Sequence, residues 1–292
     1  MKIVPSLSDI SQLTSAWKKQ GEIISLVPTM GCLHEGHLSL MRKAKDMSDK
    51  VIVSIFVNPL QFGPGEDLGS YPRQFVIDCE LAENEGVDAI FCPENKHMYG
   101  DSFQTAITVS RLSLGMCGKD RPGHFNGVST VVAKLFNLTR ADSAVFGQKD
   151  FQQLAVIRQL VKDLNFPIQI IGSPIVREDD GLAMSSRNKY LHGDSRQQAL
   201  CLYNSIVAAR ELVAKGRDKI LAQTVIDQTR EIIARAGAAL EYAVLKDEST
   251  LLDDVVVSND SILVLAAKID GTVRLIDNGR LFLDYNEIEK GD

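Results

Sequence analysis

Two histidines three residues apart stand in the segment Pro28-Thr29-Met30-Gly31-Cys32-Leu33-His34-Glu35-Gly36-His37. On one helical turn, residues at this spacing face the same space. Both imidazoles can then donate hydrogen bonds to charge developing on a phosphate. Gly31 permits a tight turn and Gly36 a close backbone approach. A helix opening near Gly36 would aim free N–H groups and its positive dipole end at an anion. The same pair also suits a helix cap with partly exposed rings. A zinc site would need a third ligand nearby, and the spacing is not that of HExxH.

Three further groups carry chemistry of the same kind. In Gly147-Gln148-Lys149-Asp150, followed by Gln152 and Gln153, a lysine at the head of a helix can meet a phosphate or a carboxyl–phosphate anhydride as a point charge. The alternative is a solvated first turn capped by Asp150. In Met184-Ser185-Ser186-Arg187, two hydroxyls and a guanidinium can wrap phosphate oxygens, or form an ordinary loop. In Asn58-Pro59-Leu60-Gln61-Phe62, the amides can fix the hydroxyls and carboxylate of a small polar substrate. An Asn-Pro turn is the plainer reading.

These groups need elements to position them. Residues 23–27 and 51–57 are apolar, β-branched runs of the kind buried on both faces of a parallel sheet. Between them lies a helical pattern containing Leu38, Leu40, Met41 and Ala44. A Gly/Pro-rich loop at 63–72 is followed by an expected helix over 73–86 and a strand over Ala89–Cys92. Further expected elements are a strand over Thr105–Val109, a helix over Val128–Leu138, a strand over Ala144–Phe146, a helix over Phe151–Leu164 and a strand over Ile168–Ile171. Strand and helix thus alternate through about the first 175 residues. That predicts an α/β fold with a Rossmann-like, doubly wound parallel sheet, whose ligands sit beyond the carboxyl ends of the strands. After a polar stretch, 195–236 reads as two helices parting near Lys215-Gly216-Arg217-Asp218, with strands at Ala243–Leu245, Ile262–Ala266 and Val273–Ile276. The expected division is 1–176 and a smaller α+β domain over 177–292, with the boundary between about 172 and 185.

Composition narrows the function class. With 45% apolar and 24% charged residues, the 292-residue chain can bury a core as an ordinary globular protein. A net charge of −6 argues against a broad nucleic-acid surface, which needs clustered Lys and Arg. The five cysteines are spread without a CxxC pair, as expected of reduced thiols in a cytoplasmic protein. No apolar run approaches ~20 residues, and the amino-terminal residues lack a signal peptide's apolar stretch, so no membrane partner is expected.

The motifs also occur in a telling order, a His-x-Gly-His element early and a Met-Ser-Ser-Arg element late. The sequence resembles the HIGH-motif nucleotidyltransferases and, among them, the pantoate–β-alanine ligase family. The resemblance rests on Pro28–Gly31 with Leu33–His37, Ser54–Pro59 with Gln61-Phe62, and Tyr71-Pro72-Arg73. It continues through Arg121–Phe125 with Gly127-Val128, Phe146-Gly147 with Lys149–Gln153, and Arg177-Glu178 with Asp180–Asn188. It implies an ATP-dependent ligase that condenses pantoate with β-alanine to pantothenate through a pantoyl adenylate, releasing AMP and pyrophosphate. It also implies Mg²⁺, a homodimer and a C-terminal domain acting as a lid.

Residue by residue, the resemblance places His34 and His37 at the phosphates, with His37 as proton donor. It places Met30, Gly31, Cys32, Leu33, His34, Glu35, Gly36 and His37 in the ATP loop, and Gly147, Gln148, Lys149 and Asp150 in an ATP-binding turn with Lys149 near the reacting phosphate. Val176 matches a backbone contact to adenine. Met184, Ser185, Ser186 and Arg187 match a phosphate-gripping segment. Gln61 and Gln153, with Asn58 in the same block, match the pantoate site. Two departures are Gln148 where the family has Glu and Leu60 where it has Met. Metal ligands stay unassigned: Asp78 reads as an exposed helix carboxylate, with a Mg²⁺ contact as the alternative. A cytidylyl- or adenylyl-transferase would share the histidine motif but need an additional basic cluster, and a nucleotide-sensing module would not need Gln61, Gln153 and Lys149.

Overall fold

The structure, a computed structural model, describes residues 1–216 and 219–282. The chain divides into two compact units, one formed by Met1–Gln148 with Gln152–Pro174 and the other by Lys149–Phe151 with the residues from Ile175 onward.

In the first unit, strand and helix alternate as β1 (Lys2–Val4), α1 (Leu7–Lys19), β2 (Ile24–Thr29), α2 (Glu35–Lys45), β3 (Lys50–Ile55), α3 (Phe75–Asn84) and β4 (Ala89–Phe91). Then follow α4 (Asn95–Met98), α5 (Met116–Asp120), α6 (His124–Thr139), β5 (Ser143–Gly147), α7 (Phe151–Asp163) and β6 (Gln169–Ser173). The strands form a parallel sheet in the order β1-β4-β3-β2-β5-β6. Successive strand residues point to opposite faces. Leu26, Ile52, Phe91 and Ala144 therefore share one core with α1, α6 and α7. Val27, Val53, Ile90 and Val145 share another with α2 and α3. Each fully buried Val, Leu or Ile contributes about 1.5–3 kcal/mol, which is why these strands read as continuous apolar runs.

Chain order reverses between β2 and β5, so the loops leaving these strands diverge and open a crevice at their carboxyl ends. The register of this pair is marked by Ser25 opposite Ser143, whose hydroxyls hydrogen-bond at 2.6 Å in an otherwise apolar interior. A one-residue slip would break that bond and turn each strand's faces inside out.

The second unit holds α8 (Asp194–Ala199), α9 (Cys201–Lys215) and α10 (Ala222–Arg235), followed by an antiparallel sheet of β7 (Ala239–Asp247), β8 (Ser261–Ile269) and β9 (Val273–Arg280). Leu202, Ile206, Ala209 and Val213 recur at helical spacing along α9 and pack with Leu263, Leu265 and Leu275.

Four expectations need correction. Thr105–Val109 is not a strand: Ile107 and Val109 pack on the core, but the Ile107 N–H donates to the Thr130 hydroxyl at 3.0 Å instead of to a ladder. The stretch 195–236 holds three helices, because the chain breaks at Leu200, and Arg217 and Asp218 lie outside the described residues. The amino-terminal β1 and α1, for which no element was expected, are present, and Ser6 caps α1 by accepting from the Asp9 N–H. Asp78 is not exposed but 1% accessible, while its neighbours Val76 and Ile77 are 70% and 51% exposed.

Candidate active site

The loop leaving β2 begins with an unusual backbone. Gly31 has φ +80° and Cys32, with a side chain, has φ +53°. Left-handed conformations at non-glycine residues need support from their surroundings. Here the Asp78 carboxylate supplies it, accepting from the Cys32 N–H at 2.9 Å and the Leu33 N–H at 2.8 Å. The Gln74 amide donates to the same carboxylate at 3.3 Å. The helix α2 then starts with His34 as its cap, and the His34 N–H donates to His37 Nδ1 at 3.4 Å. An accepting Nδ1 places the neutral ring's proton on Nε2, leaving that atom as the donor. The two rings lie 4.1 Å apart between centroids. The expected loop, Met30 to His37, is thus one continuous strand-to-helix connection.

The second strand-end segment follows β3. Asn58 is 1% accessible, and its amide is saturated. It donates to Gln61 Oε1 at 3.0 Å and to the Gly127 carbonyl at 3.1 Å, and it accepts from the Leu60 N–H at 3.3 Å and the Tyr99 hydroxyl at 2.8 Å. Gln61 in turn donates to the Met30 sulfur at 3.2 Å, which joins this segment to the loop after β2. Below Gln61, the carbonyl accepts from His124 Nδ1 at 2.8 Å and from Arg121 at 3.2 Å. Arg121 is itself paired with Glu66 at 2.5 Å. Although burial alone would raise the Glu66 pKa, the bonds and charge of Arg121 bring it below the usual carboxylate value. Helix α6 can approach only because Gly127 has no side chain: a Cβ there would lie 2.3 Å from the Leu60 carbonyl oxygen.

Across the crevice, Gly147 and Gln148 leave β5, and the Gln148 N–H donates to the Ser173 carbonyl at 2.8 Å. On α7, adjacent glutamines differ. The Gln152 amide nitrogen donates to the carbonyls of Leu112 and Gly115, both at 2.8 Å, whereas the Gln153 amide makes no hydrogen bond among the described residues. A cavity of about 310 Å³ borders the loop after β2, lined by Met30, Gly31, Phe56, Arg73 and Asp78 among others.

The remaining expected residues belong to the second unit. A short hairpin brings Val176 and Met184 together: the Met184 N–H donates to the Val176 carbonyl at 2.9 Å, and Arg177 pairs with Ala183. Ser185 then caps a single 3-10 turn by accepting from the Arg187 N–H at 3.2 Å. Arg177 is buried against Asp277 at 2.8 Å and stacks over Tyr203 at 4.8 Å. The neighbouring Asn278 donates to the Lys149 carbonyl at 2.9 Å. Removal from water lowers the Lys149 pKa; Asp150 and Asp277 oppose this, and Arg187 and Arg177 add to it. Asp150 is exposed.

Sequence reading missed several of these supports. Arg121, His124 and Gly127 stood in a quoted block without a role, and Tyr99, Asp277 and Asn278 carried no local signal. Among the described residues no cluster of three or more His, Cys, Asp or Glu side chains is arranged to hold a metal ion, and no helix is long and apolar enough to cross a membrane.

The geometry can be set beside known proteins. The sequence pattern of pantoate-β-alanine ligases matches residues 2–280. The chain belongs to the pantoate–β-alanine ligase family. It is 50% identical to a pantothenate synthetase of Desulfotalea psychrophila over 285 residues, 96% of this chain and 99% of the relative. A pantothenate synthetase crystal structure from Thermus thermophilus superposes with a TM-score of 0.90 at 38% identity, covering 97% of this chain and all of the other. A Francisella tularensis pantoate-β-alanine ligase, solved with beta-gamma ATP and β-alanine, gives a TM-score of 0.79 at 35% identity, covering 97% and 99%. As a member of the pantoate–β-alanine ligase family, the chain is an ATP-dependent ligase of pantothenate synthesis. The Rossmann-like sheet with a small antiparallel sheet is the fold expected of it.

Proposed function

We propose that the chain joins pantoate to β-alanine in two steps at the carboxyl end of the β2–β5 crevice. A carboxylate cannot expel oxide when an amine attacks. In the first step, a pantoate carboxylate oxygen attacks the α-phosphorus of ATP, and pyrophosphate leaves. In the second, the β-alanine amine attacks the acyl carbon of the adenylate and AMP leaves, forming the amide of pantothenate. The observation that carries this reading is the conjunction of the His34–His37 loop with an amide-lined turn, joined through Gln61 and Met30.

In this scheme His34 and His37 bind the phosphates, with His37 Nε2 donating toward charge that develops in the first step. The backbone from Met30 to Gly36, with Gly147, Gln148 and Asp150, cradles the nucleotide. Lys149 meets the reacting phosphate as a cation, the Val176 backbone meets adenine, and Met184, Ser185, Ser186 and Arg187 grip the phosphate oxygens. Gln61 and Gln153 hold pantoate. The saturated amide of Asn58 supports a different role for that residue, which is to fix the Gln61 carboxamide. Mg²⁺ is proposed to arrive on the ATP phosphates as part of the nucleotide substrate, a mode that needs few protein ligands. Residues 177–292 are proposed to serve as a lid, since a wet adenylate would hydrolyse. A homodimer in the cytoplasm is proposed from the family resemblance, and light scattering of the purified chain should return the mass of two copies, a single-chain mass refuting it.

The decisive experiment is isotope exchange between pyrophosphate and ATP. Exchange should require pantoate but not β-alanine, and pantothenate should form with AMP only when both are present. Exchange that ignores pantoate, or a nucleotide-linked product instead of a free amide, would overturn the scheme.

A further inference from the structure

Asp78 lies 46 residues from the segment it holds. It is 1% accessible, and no cationic side chain pairs with it in an ion pair among the described residues. A buried carboxylate is costly unless hydrogen-bonded, and this one is bonded by Cys32 and Leu33 N–H groups, with Gln74 adding a third donor. Those two N–H groups precede the cap residue His34, so they set where α2 begins. The contact is close as well as bidentate: a Cβ on Gly31 would sit 2.9 Å from Asp78 Oδ2 and 3.1 Å from an Ile55 methyl group. Gly31 and Asp78 both border the cavity of about 310 Å³ beside this loop.

We propose that Asp78 is a positioning residue for the nucleotide half of the reaction: its carboxylate pins the left-handed Gly31–Cys32 backbone and thereby sets the His34–His37 pair against the ATP phosphates. The inference rests on the proposed nucleotide role of that loop. Its negative charge also forces a division of labour. The Cys32 and Leu33 N–H groups are committed to Asp78, so the loop receives phosphate through donors further along, at the histidines and the first turn of α2. A buried anion beside an anion site is tolerable only because these N–H groups neutralise it.

The test is the isosteric variant Asp78→Asn, with the exposed Val76→Ser on the same helix as control. Asparagine keeps one acceptor but presents NH₂ to a backbone N–H. In pantoate-dependent pyrophosphate–ATP exchange, the KM for ATP should rise at least ~10-fold or kcat fall by as much, since small misplacements of reacting groups carry such costs. The KM for pantoate should stay within about twofold, and Val76→Ser should match the parent. A folded Asp78→Asn with parental constants, or with both substrates affected equally, overturns the proposal. Hydrogen exchange at Cys32 and Leu33 in the unaltered chain is the second measurement, and it stands even if the variant does not fold. Slow exchange without nucleotide is expected, and exchange at the rate of an open loop overturns the pinning. If the parent shows no exchange activity, the functional reading fails while the amide protection still reports on Asp78.

Discussion

The loop after β2 and the turn after β3 leave neighbouring strands of one sheet, yet different groups organise them. The β2 loop is strained and fixed by one charge, with the Asp78 carboxylate gathering backbone N–H groups around left-handed residues. The β3 turn is relaxed, and its recognition side is organised by the neutral Asn58 amide, which bonds Gln61, Gly127 and Tyr99, with the Arg121 guanidinium holding only the Gln61 main-chain carbonyl. The difference suits what each is proposed to bind. A loop that must turn toward polyphosphate benefits from rigid dipoles. A turn that must recognise hydroxyls and a carboxylate needs one carboxamide aimed with its partners already satisfied, because leftover polar groups would compete for the substrate.

The largest effects should come from the charge-handling side. His37→Ala and Lys149→Ala should each lower kcat by at least ~100-fold if they stabilise transition-state charge, and near-parental turnover in either would remove that residue from the scheme. On the amide side, Asn58→Ala leaves the Gly127 carbonyl, the Leu60 N–H and the Tyr99 hydroxyl short of partners, at a cost of about 1–3 kcal/mol in stability by thermal or urea unfolding. Its KM for pantoate should rise while that for ATP changes little, the reverse of the Asp78→Asn pattern. Equal changes in both would dissolve the distinction between the two segments.

A gentler probe uses pH. The Lys149 pKa lies below the ordinary lysine value, so its ammonium is lost at a lower pH than that of a free lysine. Activity that needs the cation should fall as pH rises through that point, and kcat/KM for ATP should show an alkaline limb below the usual lysine range. In Lys149→Arg the limb should disappear from whatever activity remains, and its persistence would assign it to another group. The smallest effect is expected of Gln148→Glu. Gln148 anchors its backbone to Ser173, and a partly solvated charge is worth under ~1 kcal/mol, so kcat should change less than about fivefold.

What the sequence made legible was whatever repeats along the chain. The apolar runs of β2, β3 and β5 announced a parallel sheet, and the glycines and histidines after β2 announced an anion loop. Supports that act across the fold were hidden. By sequence alone Asp78 reads as an exposed helix carboxylate. The structure reverses the exposure, since the partners that satisfy Asp78 are backbone N–H groups, which have no letter in a sequence. Thr105–Val109 reads as a strand, but the structure forms none there. Its backbone partner is a threonine hydroxyl on α6, and no ladder forms. Asn58 was recognised as important, but its saturation could be seen only with Gly127 and Tyr99 in place.

The serine pair between β2 and β5 has a consequence in time as well as space. Ser25 and Ser143 are 118 residues apart, so the crevice opens only once a long stretch of chain has been gathered and its closure entropy met. The histidine loop can be synthesised, and α2 can coil, long before the opposite wall exists. During refolding, helical signal should therefore precede nucleotide binding, and the appearance of a binding crevice would report that the central sheet has found its register.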